Sequence, residues 1–277
     1  MKSIYDIELE SAEGVPHFMQ QFKGKAIMLI NTTVGCGNAG QMESIQWIQD
    51  DLAGEDFSVV AIPTNDFCGP SITKGKLSKG IEKGLDSKAY GEDVYQVTFP
   101  FSEMITSNPA EIPLEEPWAG KGPGLNGNGQ PFGERHELYL EVSRQVEAIQ
   151  KKIRELGIVQ KTDYESRYLN EHNGGITMNC NFEKYLIDKD GYVDKHFQCT
   201  VLNWDSEATV KEMAAKEGRE IGIGMGRSKK IFDEEWTVVC QSIEELMMGR
   251  RSFVNPASTG FSVPNNASSL TPSLSLA

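Results

Sequence analysis

Two rhythms of apolar residues run along this chain. Residues 26–31, Ala-Ile-Met-Leu-Ile-Asn, are almost continuously apolar after the turn Lys23-Gly24-Lys25, which predicts a strand. Small residues follow, and then Cys36-Gly37. Ile45, Ile48 and Leu52 next recur at three- and four-residue spacing among Gln41, Glu43, Gln46 and Gln49, the period of a helix. Phe57 to Pro63 is a second apolar strand of β-branched character, closed by its proline. Leu138, Val142, Val146 and Ile149 share one face of a helix over 134–156. Phe182 to Ile187 reads as a strand, Asp188-Lys189-Asp190-Gly191 as a hairpin turn, and Tyr192-Val193 as the returning strand. A helix over 207–216 follows.

Other segments have weaker patterns. Ile4 to Phe22 reads as a short entry strand, a turn at Glu13-Gly14 and a docking segment. Residues 70–96 are polar and lysine-rich, with Ile81 and Leu85 on one helix face. The stretch about 109–133 is dense in Pro and Gly and reads as an inserted loop. The regular elements predict an α/β three-layer sandwich of thioredoxin-like type over 1–218, carrying that insertion. Residues 219–277 read as a C-terminal extension. In it Asp233 caps a helix with Trp236, Val239, Ile243 and Leu246 on one face, stopping at Gly249. The Ser-rich tail beyond has no periodicity and is expected to be disordered alone in water.

Composition narrows the function. The chain has 277 residues, 39% hydrophobic and 24% charged, with a net charge of −13. That balance argues against nucleic acid and anionic membrane surfaces as partners. No apolar run is long enough to span a bilayer, and the start lacks a basic-then-apolar signal pattern. Cysteines at 36, 68, 180, 199 and 240 have no metal-ligand spacing, and an odd count without a signal suggests reduced thiols in a cytoplasmic or other reducing compartment. Histidines at 17, 136, 172 and 196 are scattered, so no metal site is expected.

Cys36 is the residue with the clearest chemistry. It falls at a strand-to-helix turn, where unpaired N–H groups and the helix dipole favour negative charge. A thiol so placed suits a nucleophilic thiolate; the alternative is a buried cysteine that packs as a small hydrophobe. Gly222-Ile223-Gly224-Met225-Gly226-Arg227 lacks the context of a phosphate loop and reads as a linker. Asp188-Lys189-Asp190-Gly191 lacks the later glutamate of a calcium loop and reads as a turn. The stripe at Trp236 reads as packing, with a partner-docking face as the alternative.

Taken in order, the motifs resemble the glutathione peroxidase family. The match runs from Ile4-Tyr5-Asp6 through Phe22 to Asn31, Cys36-Gly37, and the pair Gln41 and Glu43. It resumes at Ile62-Pro63-Thr64-Asn65-Asp66-Phe67-Cys68-Gly69 and Val97-Thr98-Phe99-Pro100, and ends with Asn181 through Gly191. The resemblance implies peroxide attack by Cys36, a sulfenic acid product, and reduction by a second thiol. It places the family's asparagine at Asn181. The glutamine position holds Asp66, and the tryptophan position holds Cys180. An ionised Asp66 would raise the thiol pKa of Cys36; acting as a base, it would instead accept the proton. Cys180, or alternatively Cys68, is the candidate resolving cysteine, with no cofactor or metal implied.

Two readings of function follow. One is a thiol peroxidase acting on hydrogen peroxide or organic hydroperoxides, with glutathione or a thioredoxin-like protein as electron donor. The other is a catalytically degenerate structural subunit of a large assembly, such as a virion component, with protein partners docking through 219–277.

Overall fold

The computed structural model describes residues 1–33, 38–54, 56–64, 84–107, 135–155, 181–203 and 229–251. Within them four strands form one sheet in the order β2-β1-β3-β4. β1 (Ala26–Thr32) runs parallel to β2 (Phe57–Pro63), with Ala26 opposite Phe57 and Thr32 opposite Pro63. β3 (Lys184–Ile187) is antiparallel to β1, and β4 (Val193–Phe197) is antiparallel to β3. Every residue of β1 and β2 is buried, which accounts for their unbroken apolar runs. This strand order and these directions are those of a thioredoxin-like fold.

Helices cover both faces of the sheet. Met28 and Ile30 of β1, Val59 and Ala61 of β2, and Leu186 of β3 pack with α1 (Gln41–Leu52) and α4 (Lys229–Met247). The alternate residues Ile27, Leu29, Val60, Ile62 and Ile187 face Leu138, Val142 and Val146 of α3 (Glu137–Glu155). α2 (Gly84–Tyr95) joins the first face through Tyr90 and Tyr95.

The structure departs from the sequence reading at several element ends. The expected entry strand at Ile4 is a 3-10 turn, Ile4–Asp6, and the docking segment is a second one, Phe18–Phe22. The Ile4 N–H donates to Gly191 O (3.0 Å), and the Tyr5 hydroxyl donates to the carbonyl oxygens of Lys25 (2.6 Å) and Asp188 (2.9 Å). These bonds pin the N-terminus to the β3–β4 turn, so it does not form a strand. Gly191 has φ +86°, and an added Cβ would lie 2.1 Å from Ser3 Oγ, so only glycine fits there. β3 begins at Lys184 rather than Phe182, because Phe182 is held at φ +69°.

α4 starts at Lys229, four residues before the expected cap at Asp233. Phe232 draws it back, because its ring packs edge-on against Trp47 of α1 (6.3 Å) and beside Trp236 (5.9 Å). The stop at Gly249 is as expected: it has φ +72°, its N–H donates to Leu246 O, and that of Arg250 donates to Glu245 O. Phe232, Val239, Ile243 and Leu246 belong to the same core as β1 and α1. The helix read as part of an extension is therefore a layer of the sandwich. The helix expected at 207–216, the insertion about 109–133 and the tail from 252 lie outside the described residues.

Candidate active site

The topology brings the ends of β1 and β2 and the start of β3 to one end of the sheet. β1 and β2 are parallel, so both deliver their C-terminal ends there; the N–H of Thr64 extends the pairing by donating to Thr32 O (2.8 Å). β3 is antiparallel, so its entry lies at the same end. The Phe182 N–H donates to Asn31 O (2.7 Å) and the Glu183 N–H to the Asn31 side-chain oxygen (2.8 Å). β4 leaves there too, since Phe197 pairs with Lys184.

Of the candidate catalytic residues, Asn181 is described; Cys36, Asp66, Cys68 and Cys180 lie outside the described residues.

Asn181 is 3% exposed, and its side-chain oxygen has no hydrogen-bond partner. The hydroxyl of Thr32, at the end of β1, is likewise buried without one. An unsatisfied buried polar atom costs about 1–3 kcal/mol. Two residues of the segments flanking β3 and β4 have strained backbone. Phe182 (φ +69°) and Leu202 (φ +64°) both adopt the left-handed region that bulky side chains avoid.

The start of α1 is tied to this end by side chains. The N–H groups of Gln41, Met42 and Glu43 donate to the carbonyls of Asn38, Ala39 and Gly40, forming a tight entry turn. Gln41 is fully buried; its amide nitrogen donates to Cys199 O (2.6 Å), and its amide oxygen accepts from Lys184 Nζ (2.5 Å). Lys184 also donates to Phe182 O (2.7 Å). Asn203 donates to the side-chain oxygen of Asn38 (3.1 Å), Ser44 donates to Leu202 O (2.6 Å), and the Leu202 N–H donates to Glu235 of α4 (2.8 Å). The segment after β4 is thus stitched to the turn from which the Cys36 segment enters α1.

Sequence reasoning gave Gln41 and Lys184 no role in the site. The signal was present: Gln41 stands four residues before Ile45, on the apolar face of α1, and Lys184 alternates with Leu186 toward the same core. A polar residue in an apolar phase needs a partner, and here the two partner each other.

On the opposite face His196 hydrogen-bonds Glu183, and its ring stacks on Tyr185 (4.5 Å between centroids, 4° between planes). Burial, with the nearby Glu183 carboxyl, pushes the Tyr185 hydroxyl well above its usual range, so it stays protonated. Cys240 on α4 is pushed up to about 12 by burial and by the nearby Glu244 and Asp51, so it is an inert thiol. Cys199 is half-buried and in no disulfide. Among the described residues no three side chains form a metal-binding group, and no helix is long and apolar enough to cross a membrane.

The glutathione peroxidase family model matches residues 4–112, which span β1, α1 and β2. Over that stretch the chain is glutathione-peroxidase-like, and its sheet is thioredoxin-like. A glutathione peroxidase homolog, BsaA, from Staphylococcus epidermidis is 30% identical over 105 residues, 38% of this chain and 61% of the relative. The hydroperoxy fatty acid reductase gpx1 of Synechocystis is 27% identical over 124 residues, 44% of this chain and 68% of the relative. The chain thus spans about three-fifths of the length of the first of these relatives. A solved structure, T. cruzi GPX1, aligns over 80% of this chain and 97% of its own at 18% identity and a TM-score of 0.39.

Proposed function

We propose that the protein is a thiol peroxidase that reduces hydrogen peroxide or organic hydroperoxides through Cys36. The observation that carries this reading is the glutathione peroxidase match over 4–112, which contains both Cys36 and Asp66. The convergence of the ends of β1 and β2 with Asn181 at one end of the sheet supports it. The similarity to a hydroperoxy fatty acid reductase favours organic hydroperoxides among the substrates.

In this mechanism the Cys36 thiolate attacks the distal peroxide oxygen. The O–O bond breaks, an S–O bond forms, and the departing alkoxide takes a proton to leave as an alcohol, or as water from hydrogen peroxide. The Asn181 amide donates toward the sulfur. Asp66 accepts the thiol proton before attack and returns it to the leaving oxygen. The sulfenic acid then condenses with Cys180, or alternatively Cys68, expelling water, and an external thiol such as glutathione or a thioredoxin-like protein reduces the disulfide. No metal or organic cofactor takes part. No observation among the described residues or the matched relatives favours the assembly-subunit reading, and docking through 219–277 has none behind it.

The test is NADPH-coupled peroxide turnover, run separately with glutathione and with thioredoxin as donor, for the wild type and Cys36→Ser. Turnover abolished by the substitution is the expected result. An absence of turnover with either donor overturns the reading.

A further inference from the structure

α4 crosses one face of the sheet, and polar side chains fasten it at its start, its middle and just past its end. Near its start, Glu235 accepts the Leu202 N–H (2.8 Å), beyond β4 at the end of the sheet where β1 and β2 finish. Midway, Lys195 Nζ of β4 donates to Ser242 (2.7 Å). Past its end, Arg251 reaches the β3–β4 turn, at the opposite end of the sheet. There its Nε donates to the Asp188 carboxylate (2.7 Å) and a second guanidinium nitrogen donates to Asp190. The guanidinium carbon lies 5.9 Å from the centre of the Tyr192 ring. From Glu235 to Met247 the helix rises about 18 Å, against roughly 16 Å for the length of β4, so one helix spans the sheet from end to end.

The two end fastenings differ in kind. Glu235 is fully buried, and the Leu202 it holds has φ +64°, a conformation that leucine keeps only where its surroundings enforce it. Arg251 is 28% exposed and works from the surface. Its anchor is well tied: the buried Asp188 carboxylate also accepts the N–H groups of Asp190 and Tyr192, and the turn is bonded to Ser3, Ile4 and Tyr5. Between the two ends Val239, Ile243 and Leu246 are buried in one cluster with β1 and α1, so they leave it together.

We propose that α4 is a strap with Arg251 as its clasp. The helix undocks as one unit, its undocking frees Leu202 at the other end of the sheet, and the clasp sets how often this happens. The two ends are coupled through the states they share. The bond between Leu202 and Glu235 exists only while α4 is docked, and the Arg251 bonds stabilise the docked state. Weakening the clasp therefore opens the Leu202 N–H to water from the opposite end of the sheet. The strap works in the same way whatever the chemistry at Cys36.

The test is native-state amide hydrogen exchange, followed residue by residue by NMR in the full-length wild type, Arg251→Ala and Asp190→Ala. Asp190→Ala removes one acceptor of the guanidinium and leaves Asp188 and its turn bonds in place, so it loosens the clasp by an independent route. In the wild type the amides of Leu202, Val239 and Ile243 are expected to open with a common free energy, below that of Met28 and Leu29 in β1. Both substitutions are expected to speed exchange at those three amides by one shared factor, about fivefold or more. If only Gly249 and Arg250 exchange faster, the clasp prevents fraying and nothing else, and the proposal fails. It fails equally if Leu202 is as protected as Leu29 in the wild type, or if its exchange does not move with that of Val239 and Ile243 in the variants.

Discussion

Asn31 and Glu183 hold each other by two hydrogen bonds, the Asn31 N–H donating to Glu183 O (3.3 Å) and the Glu183 N–H donating to the Asn31 side-chain oxygen (2.8 Å). The side chain takes the place of a backbone carbonyl, so the pairing with β1 extends one residue before the start of β3. It thereby holds Asn181 and Phe182 against the end of β1. Asn31→Ala leaves the buried Glu183 N–H without its acceptor and is expected to cost about 1–3 kcal/mol in urea denaturation. Asn31→Asp keeps an acceptor and should cost less. Peroxide turnover should fall in Asn31→Ala, because Asn181 loses its support.

α4 completes the sandwich, and its buried face has the stability consequences of any core element. Ile243 is fully buried in the cluster shared with β1 and α1. Ile243→Ala is expected to destabilise the protein by about 2–5 kcal/mol, measured by chemical denaturation. A chain ended near 218 exposes the face that α4 covers and is expected to lose cooperative unfolding. Retention of a cooperative transition by that shortened chain would show that α4 is dispensable.

His136 gives the fold an acid-sensitive joint. Its Nδ1 accepts the Leu138 N–H at the start of α3 (3.2 Å), which requires that nitrogen to be unprotonated. Burial lowers its pKa from 6.5, and the raising effects of Glu103 and Glu137 do not cancel that. A histidine with a lowered folded pKa favours folding in its neutral form. Its contribution is complete above the unfolded value of about 6.5 and is lost as pH falls through the folded one. His136→Asn retains a capping acceptor without a titrating ring. Thermal denaturation between pH 7.5 and 5 should therefore decline less in this variant than in the wild type.

Much of this architecture is legible in the residue pattern, and the exceptions have physical causes. β1 and β2 stand out because burial on both faces requires unbroken apolar runs. The helix at Trp236 is equally clear, but periodicity does not tell what an apolar stripe packs against. Its identity as a core layer depends on Trp47, nearly two hundred residues earlier in the chain. The roles of Asn181 and Cys36 are what the resemblance implies, whereas the pairing of Gln41 with Lys184 becomes visible only when β3 is set antiparallel to β1. The left-handed conformations of Phe182 and Leu202 carry no sequence signal, because neither residue type favours them.

The central claim is that Cys36 reduces peroxide, and a single-turnover measurement tests it most directly. The fully reduced protein, with no donor present, is mixed with a small excess of hydrogen peroxide or a fatty acid hydroperoxide, and peroxide loss is followed together with trapping of sulfenic acid by dimedone. The account predicts rapid loss of one equivalent of peroxide in the wild type, dimedone trapped on Cys36 when Cys180 and Cys68 are replaced by serine, and no rapid loss in Cys36→Ser. Peroxide loss that is unchanged in Cys36→Ser, or absent from the wild type, would contradict it.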